Sequence, residues 1–119
     1  MRYGYEAART PIRLAESCDP ADRALAAGLV PPLERRQDAA ESDLGGTPIG
    51  RAQSVIAATA RGAAVAAAGD TARAAEALTA GDRLAQSAPS WDGAAWAALS
   101  RLMLTEDVLG GCPPLPATS

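Results

Sequence analysis

Apolar side chains recur three or four apart along most of the chain, and no stretch alternates in the way of a β-strand. Between Gly4 and Ser17, Ala7, Ala8, Ile12, Leu14 and Ala15 suit one helix. Thr10-Pro11 reads as an N-cap followed by a first helical position, so the spacing predicts a start or a kink there. Asp19-Pro20 repeats the signal, with Asp22 in the first turn of a second helix that carries Leu25, Ala26 and Leu29. Pro31-Pro32 is expected to stop that helix or bend it before Leu33. Residues 34 to 48 hold Arg35, Arg36, Asp38, Glu41 and Asp43, end in Gly45-Gly46-Thr47-Pro48, and read as a surface connection.

From Ile49 to Ala68 the pattern is helical again, with Ala52, Val55, Ile56, Ala60 and Ala63 near one face. Gly69-Asp70-Thr71 closes that helix and caps the next, which carries Ala74, Leu78 and Leu84 toward Gln86. Ala88-Pro89-Ser90 breaks the chain, and Ser90 is a suitable N-cap for a last helix bearing Ala95, Trp96, Leu99, Leu102, Met103 and Leu104. Gly110-Gly111 ends it, and the Pro-rich tail 113–119 is expected to be disordered. The fold class is therefore all-α, with about five helices arranged as helical hairpins.

Composition limits how these helices are held. The chain has 119 residues, enough for one domain and too few for two. Its hydrophobic fraction of 48% is largely alanine, with no Phe and 3% aromatics, so it buries little area per residue. A net charge of -3 argues against nucleic acid and against an anionic membrane surface. The longest apolar run, Gly62 to Gly69, is far short of a membrane span, and no apolar run after Arg2 marks a signal peptide. The chain has no His, which excludes a His-dependent triad. Cys18 and Cys112 are too few and too far apart for a thiolate metal site, and no metal or cofactor is expected.

The most specific stretch is Tyr3-Gly4-Tyr5-Glu6-Ala7-Ala8-Arg9-Thr10-Pro11-Ile12-Arg13. Glu6 and Arg9 share a face if the segment is helical, and Tyr3 and Tyr5 lie beside them. An aromatic ring, a carboxylate and a guanidinium together suit a sugar: the ring stacks on a pyranose face, the carboxylate handles a proton, and the guanidinium orients hydroxyls. An exposed ion pair beside an aromatic is the plainer alternative. Asp38, Glu41 and Asp43 read as a solvated cluster, and Asp92 as a first-turn acid. Trp96, sharing a face with Leu99 and Met103, reads as core, while Trp91 lies beside a break where it would be core or cleft.

The stretch resembles the Tyr-Asp-Ala-x-Arg-x-Pro motif of glycoside hydrolase family 8, which contains endoglucanases, chitosanases and xylanases. Ala63 to Asp70 and Ser90 to Leu99 are similar to later segments of that family in order and spacing. The resemblance covers residues 3 to 112 and implies the C-terminal part of an (α/α)6 catalytic domain, a partial barrel over 1–112. It implies an inverting cleavage of β-1,4-linked polysaccharide, with Glu6 at the place of the proton-accepting Asp, Tyr5 as a sugar contact and Arg9 as an orienting group. Glu for Asp moves the carboxylate out by one methylene. The family's general acid lies earlier in the fold, and no carboxylate here matches it. Family members are generally secreted, and in that setting Cys18 and Cys112 would either bridge the first and last helices or stay as free thiols. A fragment of this kind is expected to expose an apolar seam and to self-associate. The competing reading is a small non-enzymatic helical bundle that binds a partner.

Overall fold

The computed structural model describes residues 2–4, 7–17, 19–87 and 91–105. Its helices are α1 (Arg9–Glu16), α2 (Pro20–Gly28), α3 (Val30–Arg35), α4 (Val55–Ala67), α5 (Thr71–Ser87) and α6 (Trp91–Thr105). Two two-residue strands, β1 (Arg2–Tyr3) and β2 (Ser42–Asp43), form an antiparallel ribbon with Arg2 opposite Asp43 and Tyr3 opposite Ser42. The all-α class holds. The helices among the described residues number six rather than five, because Pro31 and Pro32 do not end a helix but open a new one. Their fixed φ and missing N–H groups suit the first turn of α3, where those donors would be orphans in any case.

The caps explain most boundaries. The Asp19 carboxylate accepts from the Ala21 amide at 2.8 Å, as its Asp-Pro signature predicts. Ser54 caps α4, its hydroxyl accepting from the Ala57 amide at 3.2 Å. At the other end of α4 the Asp70 amide donates to the Val65 carbonyl and the Gly69 amide to the Ala66 carbonyl. With Gly69 at φ +85°, this is the double closure that favours glycine just past a helix end. Asp70 then starts α5 by accepting from the Arg73 amide at 3.0 Å.

Two boundaries differ from the sequence reading. Thr10 is not a cap: α1 begins at Arg9 behind Ala8, which places Thr10 and Pro11 inside the first turn. The helix expected from Ile49 begins only at Val55. Residues 49–53 are drawn away by pairings across the chain, Ile49 to Glu41 and Ala40 to Ala52, and Gly50 sits at φ +76°.

The core is centred on α4, which packs against each of the other five helices. Ten of its residues are buried, which is feasible because half of them are alanines and one is glycine, letting neighbouring backbones approach. Ile12 of α1, Leu33 of α3 and Ile56 of α4 provide the bulk, with Ala8, Ala15, Ala26, Ala60, Ala63 and Ala64 between them. Trp96 packs against this cluster while only partly buried. Leu25 of α2 is 61% exposed, and Leu99 and Leu102 of α6 are 44% and 43% exposed. Among the described residues no helix is long and apolar enough to cross a membrane.

Candidate functional site

The stretch expected to form a sugar site is anchored on both flanks. Before it, β1 pairs with β2 of the 36–48 loop. After it, the Ala8 amide donates to the Gly4 carbonyl at 3.1 Å and α1 begins. Along α1, Pro11, Ile12 and Ala15 are buried while Arg9, Thr10 and Arg13 are exposed. The apolar members of the motif thus hold the helix to α4, and the cationic members remain on the outer side. Tyr5 and Glu6, expected as sugar contact and proton acceptor, lie outside the described residues, as do Cys18, Cys112, Ser90 and the 113–119 tail. Asp92 and Trp91 fall in the first turn of α6, their side chains likewise outside that description.

The 36–48 segment is not the solvated connection that its charges suggest. Arg36, Asp38 and Ser42 are buried. The Arg36 guanidinium donates to the Ala39 carbonyl at 2.6 Å and the Ala40 carbonyl at 3.4 Å, so it folds the loop around itself. Asp38 makes a two-pronged ion pair with Arg61 of α4, at 2.8 and 2.9 Å, in the fork geometry that a carboxylate and a guanidinium share. The hydrogen bond with Asp38 raises the Arg61 pKa from its ordinary value; burial opposes it, and the charge of Asp38 adds to it.

This loop holds unusual backbone. Gln37 and Asp38 both take left-handed conformations, at φ +53° and +60°. Each costs on the order of 1–3 kcal/mol for a non-glycine residue and persists only where surroundings over-determine it. Here the surroundings do so. The Gln37 carbonyl accepts from Gln53 Nε2 at 2.8 Å, the Asp38 carbonyl accepts from the Ser54 amide at 3.0 Å, and the Asp38 carboxylate is held by Arg61.

Beyond this, Asp43 organises a tight turn. Its carboxylate accepts from the Thr47 amide at 2.9 Å, its amide donates to the Thr47 carbonyl, and the Gly46 amide donates to its carbonyl. Arg35 Nε secures the turn to α3 through the Gly45 carbonyl at 2.8 Å. Between turn and helices lies a small cavity of about 70 Å³, bordered by Leu29, Leu33, Arg36, Ser42, Leu44 and Gly46 among others. Its volume suits one or two waters or a small apolar group, not a pyranose ring.

Five other described carboxylates serve the fold. Glu34 pairs with Arg73 at 2.7 Å, Asp82 with Arg101, and Asp22 accepts from the Ser17 hydroxyl at 2.6 Å. Asp19 and Asp70 are caps. Among the described residues no group of three or more metal-capable side chains comes together.

Sequence reasoning missed Asp38, Arg61, Arg36 and Ser42. One signal was available: Arg61 is the single charged residue in the apolar stretch Val55–Ala67. A lone cation on a helix that buries most of its surface calls for an anion from elsewhere. No protein-family model, no curated protein and no solved structure matches the chain.

Proposed function

We propose that the chain is the C-terminal portion of an inverting endo-β-1,4-glycanase of the glycoside hydrolase family 8 type, its helices forming part of an (α/α)6 barrel. The observation that carries the reading is the division of labour in Arg9-Thr10-Pro11-Ile12-Arg13. The motif's apolar members are consumed by packing, and Arg9 stands exposed at the start of α1, three positions after Glu6 in sequence. In this reading Glu6 accepts the proton of the attacking water, Tyr5 contacts the sugar and Arg9 orients the carboxylate or a hydroxyl. An inverting enzyme also needs a carboxylic acid on the opposite face, about 6.5–9.5 Å from the base. Asp19, Asp22, Glu34, Asp38, Asp43, Asp70 and Asp82 are engaged in caps, turns and ion pairs. The resemblance places that acid earlier in the fold than the segments matched here, so in this reading the chain alone is not expected to hydrolyse.

The test is to titrate cellohexaose, chitosan hexaose and xylohexaose into the chain, alone and joined to any coding sequence found in frame upstream of Met1. Binding of one of them, with hydrolysis to the inverted anomer only in the extended protein and lost in Glu6→Gln, supports the reading. Binding of none by either protein overturns it.

A second reading has its own observation. Leu99 and Leu102 stand exposed on α6, beside the half-buried Trp96. A helical bundle that binds a protein partner through this helix would use them, and Glu6→Ala would then leave its function unchanged.

A further inference from the structure

We propose that Asp38 and Arg61 form a latch that sets the position of the β1–β2 ribbon, and so of the motif's N-terminal flank; the proposed role in substrate binding rests on the glycanase reading above. Asp38 is a positioning residue in this account, acting through the ribbon. The chain of contacts is continuous. Arg61 belongs to α4, the most buried helix among the described residues and hence a fixed reference. Asp38 is clamped to it by both carboxylate oxygens, with side chains only 9% and 15% exposed for Asp38 and Arg61. From Asp38 the chain runs through Ala40 and Glu41, each paired across the loop to Ala52 and Ile49, directly into Ser42 and Asp43 of β2. β2 carries β1, and Gly4 follows β1 and accepts from the Ala8 amide at the head of α1.

The backbone geometry adds a second, independent reason. Two successive non-glycine residues in the left-handed region are costly, and such outliers concentrate where a segment must be aimed. A loop that merely connected α3 to α4 would have no need of Gln37 at φ +53° and Asp38 at φ +60°. With the carboxylate clamped, the loop turns back sharply enough to bring residues 42–43 beside residues 2–3.

Asp38→Asn tests the latch cleanly. Asn keeps the shape and tolerates the left-handed conformation, so only the charged fork is lost. Arg61→Lys is the companion variant, keeping the charge and losing the fork. Two readouts on the full chain separate the outcomes. The first is amide hydrogen exchange. Both variants are expected to speed exchange at Tyr3, Ala40 and Ile49 while α4 and α5 stay protected, which also reports that the variants fold. The second is affinity for the oligosaccharide that the wild-type chain binds, expected to fall about tenfold, since small misplacements of a binding group are costly. Unchanged exchange at Tyr3, Ala40 and Ile49 overturns the latch and leaves the glycanase reading standing. Faster exchange with unchanged affinity overturns the positioning role. Faster exchange in a protein whose wild-type form binds none of the three oligosaccharides overturns the glycanase reading and the positioning role with it, while supporting the mechanical link itself.

Discussion

Gly46 lies directly over Pro32: with Gly46 at φ +95°, a β-carbon placed there would stand 2.5 Å from the Pro32 carbonyl oxygen and 3.2 Å from the Arg35 β-carbon. The turn of residues 43–47 is docked on α3 through this close approach, and Arg35 reaches over it to the Gly45 carbonyl. Only glycine offers both the left-handed φ and the missing side chain. Gly46→Ala is therefore expected to destabilise the chain by about 2–4 kcal/mol, combining strain with a backbone clash. Urea unfolding followed by far-UV circular dichroism checks this, with a lowered midpoint as the expected outcome.

Gly81 has the opposite character. It lies buried in the interior of α5, where an added β-carbon would meet Ala58 at 3.8 Å and Val55 at 3.9 Å, ordinary packing distances. Its φ is not left-handed, and glycine in a helix interior costs about 0.5–1 kcal/mol relative to alanine. Gly81→Ala is expected to stabilise by about that amount and to raise the thermal midpoint by a few degrees. Calorimetry of the two proteins under one buffer condition decides it; a lowered midpoint would mean that α4 and α5 lie closer than these distances indicate.

The latch pair carries a stability prediction with a defined pH dependence. Asp38→Asn leaves the largely buried Arg61 without its charged partner, at an expected cost of about 1–3 kcal/mol, discounted because the guanidinium keeps some contact with solvent. The Arg61 pKa is raised in the folded state, mainly through its hydrogen bond with Asp38. A raised pKa contributes stability that is present below the unfolded value and is lost only as pH climbs through the folded one. For a guanidinium both lie well above the pH range in which the chain would be handled. The difference in unfolding free energy between wild type and Asp38→Asn is thus expected to be the same at pH ~7 and pH ~10 on this account. A loss of that difference at the higher pH would place the stabilisation elsewhere.

Asp19-Pro20 and Gly69-Asp70 were legible, because each acts through a hydrogen bond or a φ angle within a few residues. Ser54 caps α4 in the same local way, yet the apolar pattern running on from Ile49 hid it. What was hidden depends on distant partners. Asp38 and Arg61 are 23 positions apart, and nothing in a run of charges tells which of Arg36, Asp38, Glu41 and Asp43 turns inward. The β1–β2 ribbon is equally silent, because two residues per strand are too short to show alternation. Thr10-Pro11 misled for a related reason: Pro fits any position of a first turn, so its presence fixes the start of α1 only to within a few residues. Of the candidate site, the three-residue spacing of Glu6 and Arg9 could be read, while the exposed place of Arg9 at the start of α1 and the loop that supports its neighbourhood emerged only from the structure.

The exposed leucines of α6 bear on how the chain behaves in solution. Leu99 and Leu102 lie three apart, so they share a face, and each is more than two-fifths exposed. Singly exposed leucines are ordinary, but two on one face of a helix whose neighbour Trp96 is only partly covered form an apolar patch. The core behind them is built from alanine and has little free energy to spare, so covering the patch is worth a sizeable fraction of the stability. At high concentration the chain is therefore expected to self-associate through α6. Sedimentation velocity over a range of concentrations measures this directly. Leu99→Glu with Leu102→Glu is expected to return the chain to a monomer with unchanged helical content, because neither side chain supports the core. Arg101 of the same helix pairs with Asp82 of α5, so the helix keeps its place in the variant. A wild-type chain that remains monomeric at every concentration would remove the apolar-seam argument and would count against the glycanase-fragment reading, which expects that seam.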